Sequence, residues 1–353
     1  MSLQERAALS LLRWMDPEKA HDWAVTAFAK GWAPQPGPVT SKLLKTEICG
    51  LALPNPVGLA AGFDKHGTAV AGLCAAGFGA VEIGGVTPRP QPGNPKPRVF
   101  RLSGAHGVIN RYGLNSDGAE LVAERLRDAR ANGLMTVPVG LNLGANKDSE
   151  DWAADYAEVL RICGAFVDYA TVNVSSPNTT GLRDLQGRAA LWGVLAGVFE
   201  TRAILPRRIP IFVKIAPDLT EADLEDIAEV AVESALDGIV ATNTTVQRDG
   251  VSGRLAQEQG GLSGRPLFDR STEILRRLYH LTNGKLPIIG VGGVEDAASA
   301  YAKICAGASA LQLYTALTWG GLSLVEKINQ GLENRLLADG YDTIADAVGS
   351  DAR

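Results

Sequence analysis

Short apolar runs alternate with amphipathic stretches along the chain after residue 55. Each run ends in glycine or polar residues, which is typical of buried strands followed by turns. We predict eight strands, near 57–61, 80–85, 137–142, 169–174, 210–215, 238–242, 287–291 and 310–314. Helical periodicity lies in most of the gaps, over Glu120–Ala131, Trp152–Cys163, Leu185–Ala203, Glu221–Ser234, Phe268–Leu281 and Ala297–Ala306. Eight strands that alternate with helices predict the α/β class and a parallel (β/α)8 TIM barrel.

The alternative to a barrel is a doubly wound open sheet. That fold is expected to carry a glycine-rich phosphate loop in its first strand–helix turn, and no GxGxxG opens a helix here. Two longer insertions fall at residues 88–118 and 245–265. A hairpin over Thr46–Leu53 is predicted ahead of the first barrel strand, where it could close the bottom of the barrel.

Residues 1–38 are predicted to form an amphipathic helical extension and a linker. Apolar residues there fall at helical spacing in two stretches, and Asp16-Pro17 predicts the start of the second helix, because aspartate caps helices and proline suits their first position. That helix is expected to end near Gly31, ahead of three prolines. Tryptophans, with six basic against four acidic side chains in residues 1–45, suit a membrane surface. Amphipathicity alone favours plain packing on the main domain.

Composition narrows the possible classes of protein. The net charge of -5 argues against nucleic-acid binding, and 46% hydrophobic residues allow a sizeable core. The four cysteines form no CxxC pair, so we expect a reducing compartment and no disulfides. No secretory signal and no apolar run of spanning length is visible. Residues 39–338 are predicted as the barrel, and the acidic tail 339–353 is expected to be loose.

Polar residues gather where the predicted strands end, which is where barrel enzymes place their active sites. They are mainly amides, hydroxyls and two lysines, without a histidine cluster, so we expect no metal centre and no pair of facing carboxyl groups for glycoside hydrolysis. This set of residues suits a planar, polar ligand that forms hydrogen bonds, together with an anion. Lys214 lies within the apolar run Ile211–Ile215, and an unpaired buried charge is costly, which predicts a ligand role.

Six motifs make the chain resemble the dihydroorotate dehydrogenases, specifically the membrane-associated, quinone-linked class 2. They are AAGFDK at 60–65, TPRPQPGNPKPRVFRL at 87–102, INRYG at 109–113, NVSSPNT at 173–179, GGLSGRPL at 260–267 and GVGGV at 290–294. The resemblance covers nearly all of residues 8–338. It implies oxidation of dihydroorotate to orotate in pyrimidine synthesis, with FMN as cofactor and ubiquinone as the final electron acceptor.

The resemblance also implies a role for individual residues. The catalytic base of class 2 is a serine, which corresponds to Ser176, with Thr179 as a possible aid in carrying the proton away. Class 1 uses a cysteine, and no cysteine falls at a strand end here. Substrate contacts are implied for Lys65, Asn110, Arg111, Tyr112, Gly113, Leu114, Asn173, Asn178, Asn243 and Thr244. FMN contacts are implied for Ala61, Gly62, Phe63, Asp64, Lys65, Gly85, Asn142, Asn173, Lys214, Thr242, Gly264, Gly293, Tyr314 and Thr315.

The N-terminal helices acquire a role through the same resemblance, as the mouth of an apolar quinone tunnel. Residues near the quinone head group correspond to His21, Arg101 and Tyr314. The protein is then expected to be a monomer on the cytoplasmic face of a bacterial inner membrane. Two positions depart from the family pattern, because Gly85 replaces a threonine of some relatives and Leu114 replaces a common phenylalanine.

Two alternative functions stay open on the sequence. The first is a class 1 enzyme that uses fumarate or NAD, against which Ser176 and the N-terminal helices argue. The second is a non-catalytic barrel that binds a nucleotide or a membrane partner. The complete set of Lys65, Ser176, Lys214 and the asparagines argues against that alternative.

Overall fold

The computed structural model describes residues 2–352, and eight of its strands close into a parallel barrel. The strands in this range are β1 (Thr46–Ile48), β2 (Leu51–Leu53), β3 (Val57–Leu59), β4 (Ala80–Val86), β5 (Val99–Leu102), β6 (Gly107–Asn110), β7 (Val139–Leu143), β8 (Tyr169–Asn173), β9 (Ile211–Ile215), β10 (Gly238–Ala241), β11 (Gly261–Gly264), β12 (Ile288–Val291) and β13 (Ala310–Leu313). The barrel order is β3-β4-β7-β8-β9-β10-β12-β13, and β13 pairs with β3 to close it. The predicted TIM barrel and all eight of its strands are confirmed.

Helices pack around the barrel and beside its open end. They are α1 (Leu3–Trp14), α2 (Pro17–Ala29), α3 (Val70–Cys74), α4 (Ala119–Ala131), α5 (Trp152–Cys163), α6 (Arg188–Ala203), α7 (Glu221–Glu233), α8 (Phe268–Leu281), α9 (Ala297–Cys305), α10 (Leu317–Gly320) and α11 (Ser323–Asp339). Short 3₁₀ helices cover Ser103–Ala105, Gly164–Phe166, Leu182–Gln186, Arg254–Gln257, Arg265–Leu267 and Ser350–Ala352. The helix predicted from Leu185 begins only at Arg188, because a 3₁₀ helix precedes it.

The hairpin β1–β2 closes the bottom of the barrel, as predicted. Ile48 and Leu53 are buried, and they join an apolar cluster with Tyr169, Phe212 and Ile289 from the barrel strands. The floor of the barrel is therefore covered by apolar side chains, and the opposite end remains open for a ligand.

The two insertions meet in a small antiparallel sheet that the sequence did not predict. Strand β6 pairs with β5 and also with β11, which lies about 150 residues further along the chain (Leu262 opposite Ile109). Leu102, Ile109 and Leu262 form its buried face. This sheet brings Asn110 and Gly264 to the open end of the barrel.

The N-terminal helices lie beside that open end. The side chain of Asp16 accepts the N–H groups of Glu18 and Lys19, which confirms the predicted cap. Helix α2 lies so close to α3 that a Cβ at Gly72 would stand 2.3 Å from the carbonyl oxygen of Phe28. Several large apolar side chains of this region remain exposed: Leu3, Leu11, Trp14, Trp23 and Trp32. In the described part of the chain, no helix is long and apolar enough to cross a membrane.

The C-terminal residues are packed, so the expectation of a loose tail is wrong. Ile344 and Ala347 are fully buried. The Ile344 N–H donates to the carbonyl of Leu43, and the Gly349 N–H donates to that of Ile304. The acidic side chains of the tail dominate its composition, but its few apolar side chains lie at the positions that face the barrel helices.

Candidate active site

One cavity of about 630 Å³ runs from the open end of the barrel to the N-terminal helices. Its inner wall includes Ser176 and Lys214, and its outer wall includes Leu9, Leu12 and Phe28 from α1 and α2. A polar interior is therefore joined to an apolar entrance within a single space.

Most of the side chains and glycines expected at a site line this cavity. The expected residues on its wall are His21, Ala61, Gly62, Phe63, Lys65, Gly85, Arg101, Asn110, Tyr112, Gly113, Leu114, Asn142, Asn173, Ser176, Asn178, Lys214, Thr242, Asn243, Thr244, Gly264, Gly293, Tyr314 and Thr315.

Asp64 and Arg111 are not among the residues that line the cavity. The Asp64 carboxylate accepts N–H groups of His66, Thr68 and Ala69 and holds the loop ahead of α3. The Arg111 guanidinium pairs with Glu258 at 2.8 Å. Both residues are adjacent to cavity residues in the sequence, and the ligand contacts expected of them stay predictions.

Lys214 presents a buried ammonium group to the cavity. It is 6% exposed, and among residues 2–352 it has neither a hydrogen-bond partner nor an ion-pair partner. Burial lowers the pKa of Lys214, and the nearby Glu82 carboxylate opposes that shift. A cation left without a partner inside a polar cavity is suited to an electron-rich ligand.

A hydrogen-bonded row of amides crosses the barrel next to Lys214. Asn142 donates from Nδ2 to Glu82 at 2.8 Å, and its Oδ1 accepts from Asn173 Nδ2 at 2.8 Å. Asn173 Oδ1 in turn accepts from Asn243 Nδ2 at 3.3 Å. The sequence reasoning missed Glu82, although a charged residue inside an apolar strand is the same signal that identified Lys214.

Ser176 lies buried at the end of β8. Its Oγ accepts the N–H of Asn178 at 3.3 Å, and no imidazole or carboxylate of the described residues is hydrogen-bonded to it. Asn178 Nδ2 lies 3.4 Å from Asn110 Oδ1, which ties the β8 loop to the small sheet. The hydroxyl and these two amides thus lie on one wall of the cavity.

Lys65 and His21 form the boundary between the polar interior and the entrance. Lys65 Nζ lies 3.0 Å from His21 Nε2 and 4.1 Å from the centre of the Tyr112 ring. Burial is the main cause that lowers the pKa of Lys65 to about 8. His21 Nδ1 lies 3.0 Å from the Tyr314 hydroxyl, and burial followed by the Lys65 charge holds the pKa of His21 well below its usual value.

The far side of the cavity is built from glycine turns and hydroxyls. Gly264 and Gly293 have φ angles of +91° and +72°, which side chains rarely adopt. A Cβ at Gly293 would lie 2.4 Å from the Cβ of Phe268, at the start of α8. Thr315 Oγ1 bonds Ser263 Oγ at 2.8 Å. Backbone that approaches this closely, next to a helix start, is the usual arrangement for holding phosphate.

The two departures from the family pattern are spatial neighbours. A Cβ at Gly85 would lie 2.8 Å from Leu114 Cδ2. Leu114 therefore occupies the space that a larger residue at position 85 would need. Arg101, expected near the quinone head group, donates to the carbonyl of Arg13 at 2.7 Å and fixes the end of α1 at the entrance. Residues 2–352 contain no cluster of three His, Cys, Asp or Glu side chains that could hold a metal ion.

A parallel barrel whose open end carries a buried lysine, an amide row and glycine turns is suited to an enzyme that binds a planar, anionic ligand. Residues 43–336 match the family model described as Dihydroorotate dehydrogenase. The dihydroorotate dehydrogenase (quinone) of Cereibacter sphaeroides is 59% identical over 350 residues, which cover 99% of this chain and 98% of that relative. The mitochondrial dihydroorotate dehydrogenase (quinone) of Mus musculus is 52% identical over 98% of this chain and 89% of its own length.

Solved structures agree with these sequence relatives. The ligand-free DHODH of Eimeria tenella superposes with a TM-score of 0.92 at 41% identity, over 96% of this chain and all of that one. The same enzyme in complex with ferulenol gives a TM-score of 0.93. This chain belongs to the dihydroorotate dehydrogenase family, whose members are generally flavin-dependent. The family expected from the sequence motifs is confirmed.

Proposed function

We propose that this protein oxidises dihydroorotate to orotate for pyrimidine synthesis and passes the electrons to a quinone. The observation that carries the proposal is the single cavity, which has Ser176 and the amides at its inner end and apolar helices at its outer end. The identity of 59% to a quinone-linked relative, over 99% of this chain, supports the same activity.

FMN is the flavin that best fits the residues present. Its ring system would lie against Asn142, Asn173 and Lys214, whose ammonium has no partner among the described residues. Its phosphate would lie at Gly264, Gly293 and Thr315, where a Cβ at either glycine would collide with neighbouring atoms. Bound FMN supplies a two-electron acceptor for the substrate hydride and a donor for the quinone.

The protein groups would bind and deprotonate the substrate. Lys65 can neutralise the substrate carboxylate, and Asn110, Asn178 and Asn243 can pair with the donors and acceptors of the ring. Ser176 is assigned to proton removal from C5. The Asn178 N–H donates to its Oγ, which stabilises negative charge developing on that oxygen, and Thr179 is buried close by. Lys65 and Ser176 are both buried, and burial strengthens such electrostatic interactions.

The quinone is assigned to the outer part of the cavity. Apolar side chains of α1 and α2 line this part, and His21, Arg101 and Tyr314 supply polar groups at its inner end. The exposed Trp14, Trp23 and Trp32 suit the interface of a bilayer, where amphipathic rings are favoured. We assign the protein to the cytoplasmic face of a bacterial inner membrane, as a peripherally bound monomer.

An anaerobic visible spectrum of the purified protein tests the function. Dihydroorotate should bleach the bound flavin, and a short-chain ubiquinone should restore it. Recovery with only fumarate or NAD would overturn the quinone assignment. A protein that takes up no flavin, even when FMN is supplied, would be a binding module instead.

A further inference from the structure

Glu82 is a carboxylate enclosed in the middle of the barrel. It lies on β4, it is fully buried, and it accepts hydrogen bonds from three other strands. The donors are Asn142 Nδ2 at 2.8 Å, Thr171 Oγ1 at 3.1 Å and Gln312 Nε2 at 2.8 Å. A charge this deep is expensive unless its partners compensate for lost water. Three donors supply that compensation.

An ionised carboxylate can only accept hydrogen bonds, so it determines how its amide partner is turned. Asn142 must present Nδ2 to Glu82, which leaves Oδ1 to accept from Asn173 at 2.8 Å. Asn173 then presents its oxygen to Asn243 Nδ2 at 3.3 Å, and Asn243 presents its oxygen to the N–H of Thr244 at 2.8 Å. Each amide orientation follows from the one before it, and the row ends on the cavity wall.

Gln312 gives an independent indication that the carboxylate determines these orientations. Its Nε2 donates to Glu82, while its Oε1 is buried without a partner in the described range 2–352. Leaving a buried carbonyl oxygen unpaired costs free energy. The bond to the carboxylate therefore outweighs that cost.

The ionisable groups near Glu82 are Lys214 and Tyr169. The Glu82 carboxylate raises the pKa of Lys214 against the larger lowering by burial. Burial, followed by the Glu82 charge, raises the pKa of Tyr169, which keeps that phenol neutral. The three groups that donate hydrogen bonds to Glu82 are neutral as well.

We propose that Glu82 is a positioning residue that sets the donor and acceptor pattern of Asn142, Asn173 and Asn243. It touches neither substrate nor flavin. The inference rests on the proposed function, because the amides are taken to contact FMN and dihydroorotate. A neutral side chain at position 82 would let the amide row take either direction.

The test compares Glu82→Gln with Thr171→Val in the flavin-loaded enzyme. Glutamine keeps the shape but removes the charge and can donate as well as accept. Thr171→Val removes one donor and leaves the carboxylate. Orotate binding, followed by the change in flavin absorption, should weaken about 10-fold or more in Glu82→Gln, against about threefold or less in Thr171→Val. The midpoint potential of the bound flavin should shift in Glu82→Gln only.

The outcomes separate this inference from the proposed function. If orotate does not perturb the wild-type flavin, the function fails. If wild type and Glu82→Gln bind orotate equally and share one midpoint potential, the inference alone is overturned. If Glu82→Gln does not fold, neutron diffraction of the deuterated wild-type holoenzyme tests the inference instead. Deuterons on Asn142 Nδ2 that face a Glu82 carboxylate without a deuteron would support the inference. A deuteron on the Glu82 carboxyl group would overturn it.

Discussion

His21 Nε2 lies 3.0 Å from Lys65 Nζ. A lysine ammonium can only donate, so the histidine accepts at Nε2 and carries its proton on Nδ1, which faces the Tyr314 hydroxyl at 3.0 Å. This contact joins helix α2 to the loop after the first barrel strand. Through it, the residue assigned to the substrate carboxylate touches the residue assigned to the quinone.

The pH dependence of substrate capture should follow Lys65. Its pKa is lowered to about 8, mainly by burial, while Asp22 and Glu18 oppose the shift. Below that pH the ammonium can pair with the substrate carboxylate, and the pairing is lost as pH rises. We therefore expect kcat/KM for dihydroorotate to fall above about pH 8. This fall in kcat/KM with rising pH should be absent from Lys65→Met. It should remain in the control Lys45→Met, which replaces an exposed lysine. A fall that persists in Lys65→Met would contradict the assignment of Lys65 to the substrate carboxylate.

His21 should matter for the quinone and not for dihydroorotate. Its pKa lies well below the usual value, so it stays neutral and offers hydrogen bonds without charge. We expect His21→Ala to raise KM for a short-chain quinone about 10-fold and to change KM for dihydroorotate much less. Steady-state kinetics with each substrate varied in turn measures both. Thr26→Ala, on the exposed face of the same helix, is the control and should change neither constant.

A buried ion pair should hold the N-terminal helices in place. Arg98 binds Glu18 of α2 at 2.9 Å, and both side chains are buried. Removing one partner of a buried pair costs about 3–5 kcal/mol. Glu18 keeps the more exposed Lys96 at 3.1 Å, so Arg98→Met should lower the free energy of unfolding by about 3 kcal/mol, the lower end of that range. The exposed pair of Arg89 and Asp148 is the matched control, and Arg89→Met should cost about 1 kcal/mol or less. Urea titration of both variants measures the two losses in the free energy of unfolding. Equal losses would contradict a stabilising role for the Arg98–Glu18 pair.

Gly293 should be required for FMN retention. A Cβ at this position would lie 2.4 Å from the Cβ of Phe268. The substituted residue would also have to adopt a φ of +72°, which side chains rarely allow. We expect Gly293→Ala to lose about 90% of its bound FMN, since the collision displaces the backbone that holds the phosphate. Gly133 has a φ of +66° but open space around its Cβ position, so Gly133→Ala carries similar strain without the collision. Flavin content per protein should stay near wild type in that control.

The barrel could be predicted because its signal is local. Each strand is an apolar run, and each helix has its own periodicity. The sheet formed by β5, β6 and β11 could not be predicted in this way. Its strands lie within the two insertions, and β6 pairs with β11 across about 150 residues. The tail was misjudged because acidic side chains outnumber the buried Ile344 and Ala347.

The site was predictable where a family motif identified it and less so where side-chain direction mattered. Asp64 and Arg111 belong to the motifs, yet their side chains bind the N–H of Ala69 and the carboxylate of Glu258 and are not part of the cavity lining. Glu82 belongs to none of the quoted motifs, and only its place inside an apolar strand marks it. Its partners Thr171 and Gln312 come from strands that are distant in sequence, so their convergence appears only in the fold.

The central claim is that Ser176 serves only the substrate half of one shared cavity. Stopped-flow spectroscopy of Ser176→Ala, matched to wild type in flavin content, tests it most directly. We predict that flavin reduction by dihydroorotate slows about 100-fold or more, since a positioned base contributes about that much. Reoxidation by a short-chain quinone should proceed at the wild-type rate. An unchanged rate of reduction, or an equal loss in both half-reactions, would contradict the account.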